Sequence, residues 1–190
     1  SEKIRICFHG HYPHLFKFEP FARQAIEDIS NLIQVDLVII TSLEKEELTR
    51  FWQVGRPISP NINLEVHKYD IENISSIIQT CDIGIVPNVS DVRLFANGLQ
   101  EVTSNDFGLY DTDYFLRFKN KTNGGRAYVF YQHGIPVIHD MSPSSFEFMG
   151  KSGIYNCAHE TGSWLKEISQ MIDPNYRNRV SKINYDTSAG

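Results

Sequence analysis

KTNGGRAYVFYQHGIPVIHD, residues 121–140, is the stretch whose reading decides the fold. It opens polar and basic, narrows to Gly124-Gly125-Arg126, runs into an apolar-periodic segment and halts at Gly134. Pro136 then leads a β-type run, Val137-Ile138-His139. The pattern is that of a loop, a helix with an open N-terminus, a glycine C-cap and a buried parallel strand. Free backbone amides and the positive end of the helix dipole coincide at such an entrance, which suits an anion. Thr122 or Asn123 can cap it, Gly124 and Gly125 bare their amides, Arg126 offers a bidentate fork and Lys121 a mobile point charge. The same residues also read as a glycine turn with a solvated arginine.

Outward from this segment, strands and helices alternate. Residues 4–8 (IRICF) form a short apolar run too brief for an amphipathic helix, and a loop containing glycine, proline and histidine follows. Pro20 leads FARQAIEDISNLI, with Ala22, Ile26, Ile29 and Ile33 at helical spacing, and residues 35–41 (VDLVIIT) make a β-branched strand. Strand, helix and strand in that space form a right-handed βαβ unit. A helix over 43–52, an alternating strand over 62–69 (INLEVHKY), an isoleucine-striped helix and a strand over 82–86 (DIGIV) come next. Regularity is lost from 89 to about 120, a long connection for a compact domain. Beyond the featured strand come a short helix at PSSFEFMG, a last strand at GIYNC and two helices separated by Pro174, at about 160–186. The expected fold is α/β: a doubly wound, mainly parallel six-stranded sheet, Rossmann-like, as one domain over 1–190. In that architecture ligands bind at the carboxyl ends of the strands, here the loops at 9–20, 87–125 and 140–145.

Composition narrows the classes. Lys plus Arg number 18 against 23 Asp plus Glu, a formal net charge of −5, which disfavours general nucleic-acid binding. Cys7, Cys81 and Cys157 are sparse and unclustered, the usage of reduced thiols in a cytoplasmic protein. No apolar run approaches the roughly 20 residues of a transmembrane helix. Residues 1–3 lead straight into a strand without a signal peptide, an abrupt start that suits a piece of a longer protein.

Several motifs offer chemistry and fail on context. His9, His11 and His14 have zinc-like spacing without a fourth ligand at a suitable distance, so no metal is expected. Contact with an anion fits them better: the Gly10 amide can face the same cleft as Arg126, and Lys17 can join it. Residues 106–108 (DFG) match a kinase triplet that lacks its partners, and 111–113 (DTD) form a carboxylate pair in an irregular loop. There is no GxGxxG after the first strand, no P-loop and no GxSxG elbow, so no dinucleotide cofactor and no nucleophile triad is expected.

The ordered set DIGIVP, KTNGGR, YQHGIPVI, E-x-x-x-W-L-K-E-I and D-P-x-x-R, from Asp82 to Arg177, resembles the C-terminal half of GT-B glycosyltransferases. The likeness spans nearly the whole chain. It implies a domain that binds a nucleotide-diphosphate sugar, the substrate and not a cofactor, for transfer to an acceptor held by an N-terminal domain or partner subunit. By position it implies Gly10 and His11 near the diphosphate or sugar, Lys68 and Tyr69 near the base, and Asn88, Thr122, Asn123 and Arg126 on the phosphate side. Many retaining members carry two glutamates where this chain has Lys121 and Val129, so the ribose-gripping carboxylate of the pattern is missing. A binding module without chemistry is the alternative; a receiver- or flavodoxin-like domain would want an acidic cluster or flavin loop that HGHYPH does not supply.

Overall fold

The computed structural model describes residues 2–19, 21–54, 57–88 and 124–190. Pro20, the stretch at 89–120 with its two discounted motifs, and Lys121, Thr122 and Asn123 lie outside them. In order come β1 (Lys3–His9), a 3-10 turn (Tyr12–His14) running into α1 (Leu15–Phe18), α2 (Ala22–Ser30), β2 (Gln34–Thr41), α3 (Lys45–Val54), β3 (Ile62–Lys68) and α4 (Ile74–Ile78). Then follow β4 (Ile83–Val86), α5 (Gly125–Gln132), β5 (Val137–Asp140), α6 (Pro143–Ser152), β6 (Cys157–Ala158), α7 (Thr161–Ile172) and α8 (Pro174–Ala189).

The six strands make one sheet in the order β3-β2-β1-β4-β5-β6, every pair parallel. This is the doubly wound order in which the chain starts at the centre, builds one way to β3, then returns to build the other way. The reversal falls between β1 and β4, paired at Ile6↔Ile83 and Cys7↔Gly84. β2 is buried from its second residue to its last, as a central parallel strand covered on both faces must be.

Alternation along β1 divides the core. Ile4, Ile6 and Phe8 join the layer that holds Ile26 and Ile29 of α2 and Trp164 and Ile168 of α7. Cys7 belongs to the opposite layer with Ile78, Phe130 and Tyr131. Cys7, Cys81 and Cys157 are not joined in disulfides. Among the described residues, no helix is long and apolar enough to cross a membrane.

α5 sits unusually close to β4. A Cβ on Gly84 would lie 2.6 Å from Phe130 ring atoms, so the glycine is what allows the helix to approach. The helix ends as its sequence suggests. Gly134 is left-handed (φ 65), its amide reaches Tyr131 O at 3.0 Å, and Ile135 N reaches Phe130 O at 3.0 Å, which is a Schellman closure.

The D-P-x-x-R segment acts as a joint. Asp173 caps α8 by accepting from Asn175 N at 2.9 Å. Arg177 Nη1 donates to the terminal carbonyls of α7, Met171 O at 2.8 Å and Ile172 O at 3.3 Å, while Nη2 pairs with Asp82 at 3.4 Å ahead of β4. Farther along α8, the Ser181 hydroxyl donates to Gly134 O, behind α5. α8 thus ties the α7 layer to the α5 layer.

The strand boundaries shift modestly from expectation. The last strand is only Cys157–Ala158; just before it, Asn156 O accepts from His139 N at 2.8 Å, and its Nδ2 donates to Glu167 Oε2 at 2.8 Å and Tyr176 Oη at 2.7 Å. The expected loop after β1 contains a short helix, α1, whose Leu15 and Phe18 are fully buried.

Replacing Gly84 with alanine is expected to cost about 1–3 kcal/mol through overpacking against Phe130. Urea denaturation measures this, and an unchanged midpoint would contradict the close α5–β4 contact.

Candidate functional site

The crevice outside the carboxyl ends of β1 and β4 collects polar groups from five places: β1, α1, the residue after β4, α5 and the end of β5. β1 ends in His9. Its Nε2–H donates to the Arg126 carbonyl at 3.0 Å, and its ring stands edge-on to Phe130 with centroids 4.9 Å apart. The first turn of α5 is thereby fastened to the tip of β1. Burial, followed by repulsion from Arg126, holds the His9 imidazole down to about 4, so it is neutral at physiological pH.

Gly10 comes next. Its N–H donates to Ile40 O at 3.0 Å, extending the ladder one residue past the strand. The amide is therefore engaged, which corrects the expectation that it faces the cleft. What Gly10 contributes is its missing side chain. Its φ is 156, and a Cβ there would meet His14 Cβ at 3.3 Å and Arg126 Cδ at 3.5 Å. The stem of Arg126 lies across this bare α-carbon.

Arg126 carries the positive charge of the site. Its Nη1 is buried with no hydrogen-bond partner, and no carboxylate pairs with it among the described residues. Burial lowers the guanidinium to about 10, still fully charged near neutrality. A desolvated charge without a counter-charge costs several kcal/mol unless something compensates it.

Lys17 enters from α1, donating from Nζ to Asn88 Oδ1 at 2.8 Å. Burial, and then repulsion from Arg126, lowers it to about 8, with Asp140 opposing. Asn88 follows β4 and is 2% exposed. Its backbone N–H donates to Asp140 Oδ2 at 2.9 Å, and its Nδ2 has no partner among the described residues. Because Oδ1 is occupied by Lys17, the group left over is a donor. Asp140, fully buried at the end of β5, also accepts from Met141 N at 2.6 Å. It pins together the chain segments leaving β4 and β5.

The crevice therefore presents donors: a guanidinium nitrogen, an ammonium, a carboxamide N–H and the first turn of α5. Their complement is an anion with several acceptor oxygens.

The remaining expected residues fall as follows. The N-cap of α5 is Gly124, so neither Thr122 nor Asn123 holds that place, and with Lys121 they lie outside the described residues. A Cβ on Gly124 would fall 2.2 Å from Phe148 Cε2, so packing under this ring explains the glycine without a ligand. Gly125 is the exposed first residue of α5, and no side chain caps the helix. His11 is exposed on the rim. Lys68 and Tyr69 lie at the end of β3, two strands from β1 and so on the order of 10 Å away. Lys68, 63% exposed, pairs with Glu44 at 3.1 Å, and the Tyr69 N–H donates to Thr41 O at 2.7 Å. They are not brought into contact with the Arg126 cluster. The hydroxyls after β5 are turned inward: Ser142 accepts from Ser145 N at 3.2 Å and donates to Ser145 Oγ at 2.9 Å. Asp140 was legible only as part of a loop; its place directly after a strand in this layout was the available signal. Among the described residues no three His, Cys, Asp or Glu side chains gather into a metal-holding group.

No protein-family model matches the sequence, and no curated protein matches it in sequence. The likeness is to solved structures. The catalytic domain of cholesterol-α-glucosyltransferase from Helicobacter pylori superposes with a TM-score of 0.57 at 10% identity, over 98% of this chain and 97% of that one. Anabaena HepE in complex with UDP-glucose gives 0.57 at 12% identity, over 98% of this chain and 43% of that one. The glycosyltransferase SnogD from Streptomyces nogalater gives 0.52 at 13%, over 100% of this chain and 40% of that one. The chain thus spans nearly all of the first and about two-fifths of the other two. Its fold is that of a Rossmann-like domain of GT-B glycosyltransferases, as the sequence resemblance implied.

The histidines set a pH dependence. Burial holds His9 at about 4 and, beside the Tyr131 hydroxyl 2.9 Å away, His139 at about 3, against about 6.5 in an unfolded chain. Below about pH 6.5 the unfolded chain binds more protons than the folded one, so stability is full above that value and is lost as pH falls toward 4. Urea midpoints measured at about pH 7 and pH 5 are expected to differ by an amount worth several kcal/mol or less, lower at the acid end. A flat profile would show that these imidazoles are not held neutral.

Proposed function

We propose that this GT-B-type domain binds the diphosphate of a nucleotide-activated sugar in the crevice between β1 and β4, as the donor side of a glycosyltransferase. The observation that carries the reading is Arg126 Nη1, buried with no hydrogen-bond partner at the open start of α5 on a side chain that pairs with no carboxylate among the described residues. A diphosphate supplies the missing charge, and Lys17 and Asn88 Nδ2 supply further donors to its oxygens. HepE, a protein of the same fold, is known in complex with UDP-glucose, which supports the ligand class.

In transfer, the bond between the anomeric carbon and the diphosphate oxygen breaks, and its electron pair leaves on the phosphate. Arg126, Lys17 and the first-turn amides of α5 then hold more negative charge than in the ground state, which is where preorganised donors accelerate a reaction. The acceptor and its base belong to a second domain or subunit in this reading. Lys68 and Tyr69 stand at a separation a nucleoside can bridge, so they remain the proposed base side, with His11 on the rim by the sugar.

A second reading, a binding module without turnover, draws support from Val129. It packs against the α5 layer of the core where a gripping glutamate stands in the resembled pattern. Donor hydrolysis by the chain joined to its native neighbour separates the two, since sustained turnover sinks the binding-only reading.

Arg126→Ala is expected to weaken nucleoside-diphosphate binding by about 1.5–3 kcal/mol, the worth of a charge-assisted contact. A thermal-shift panel of UDP, GDP, ADP and dTDP with their sugars first identifies the base, because a ligand bound only by the folded state raises its stability. Calorimetry that finds equal affinity in the variant would remove Arg126 from the site.

A further inference from the structure

His14 is the member of this cluster that the proposed binding role leaves unused. It closes the 3-10 turn after β1, its backbone N–H donating to His11 O at 2.8 Å. Its Cβ and Cδ2 lie 3.3 and 3.5 Å from where a Gly10 Cβ would stand, and Arg126 Cδ lies 3.5 Å from the same point. Imidazole and arginine stem thus share one bare α-carbon. His14 is half-buried, and its ring makes no hydrogen bond with a described residue. Among the described residues, the charged and titratable groups acting most on it are Arg126 from α5, Lys17 from α1 and His11 and His9 from its own segment, with no carboxylate.

The crevice is therefore a place where a further proton is unwelcome. Burial first, and then Arg126 and Lys17, push His14 down to about 4. A diphosphate diester brings two negative charges to the same few ångströms and reverses the sign of the local field. We propose that His14 takes up a proton when a nucleotide-diphosphate sugar occupies the crevice, so that donor binding is linked to proton uptake at this ring. The inference rests on the donor-binding reading and adds a regulation to it: affinity rises as pH falls. The balance is simple. Free imidazole plus a solvent proton gives imidazolium beside the phosphate oxygens, with no covalent change in the ligand.

The test is calorimetry on the full chain with UDP-, GDP-, ADP- and dTDP-glucose, in two buffers of different ionisation enthalpy, neither of them phosphate. These diesters have no group that titrates in the range used, so any proton taken up belongs to the protein. If the bound ring returns to its ordinary value of about 6.5 or above, binding is roughly tenfold tighter at pH 5.5 than at pH 7.5, with close to one proton taken up at the lower value. His14→Gln is expected to bind without that uptake, while Lys17→Arg and His11→Gln retain it. Histidine NMR of the unsubstituted protein, with and without ligand, reads the same ring directly and does not depend on the variant folding. Binding without uptake, uptake undiminished in H14Q, or an unmoved His14 resonance would overturn the proposal and leave the donor site standing. No binding by any of the four sugars would overturn the donor site, and this inference with it.

Discussion

The hydrogen bond from the His9 imidazole to the Arg126 carbonyl holds the start of α5 against the tip of β1, across the point where the sheet reverses direction. Three neighbouring features make that bond possible. Gly84 lets α5 settle on β4, Gly10 leaves room for the arginine stem, and the Phe130 ring packs at a steep angle against that of His9. Because the bond uses the backbone of Arg126, the guanidinium is free to lie in the crevice. The same residue is thus anchored through its main chain and presented through its side chain.

Charge is distributed unevenly over the molecule. On the opposite, amino-terminal side of the sheet, cations are matched: Asp36 accepts from Lys3 and Arg5, and Arg5 also pairs with Glu65. Arg23, buried beneath α2, is flanked by Glu19 and Glu27. Arg126 and Lys17 have no such carboxylate salt bridge among the described residues, and Asp140, which opposes Lys17 from a distance, spends its oxygens on two backbone amides. Among the described residues, Arg5 and Arg23 are matched by carboxylates and these two cations are not, so an electrostatic cost is concentrated at the crevice. The net charge of the chain gave no hint of this, because the effect depends on which carboxylates are near which cations.

The fold was legible because its signals are local. β-branched runs such as 35–41, the isoleucine spacing of α2 and the glycine stop at Gly134 each follow from sidechain shape and backbone freedom alone. The site was legible in outline only. Gly124 and Gly10, singled out in the sequence for ligand approach, each have another use in the structure: one lies under Phe148, and the other donates its amide to Ile40. A glycine needed for packing and one needed for ligand approach look identical in a sequence. D-P-x-x-R likewise read as part of a family pattern and proved to be a cap and a joint between helices. The closeness of His14 to Arg126, more than a hundred positions apart, is visible only once α1 and α5 are brought to the same strand ends.

The strap formed by α8 also bears on the order of events in synthesis. β1, β2 and β3 are local in sequence and can pair as soon as they emerge, since a chain folds from its N-terminal side as it is made. The C-terminal glycine of α5 and the last carbonyls of α7, however, find their partners in Ser181 and Arg177, both on the final helix. During translation the crevice is therefore assembled from its β1 side first, and its α5 wall is fixed last. A nascent chain still short of α8 would carry a finished half-sheet beside a helix α5 whose C-terminal end is not yet secured.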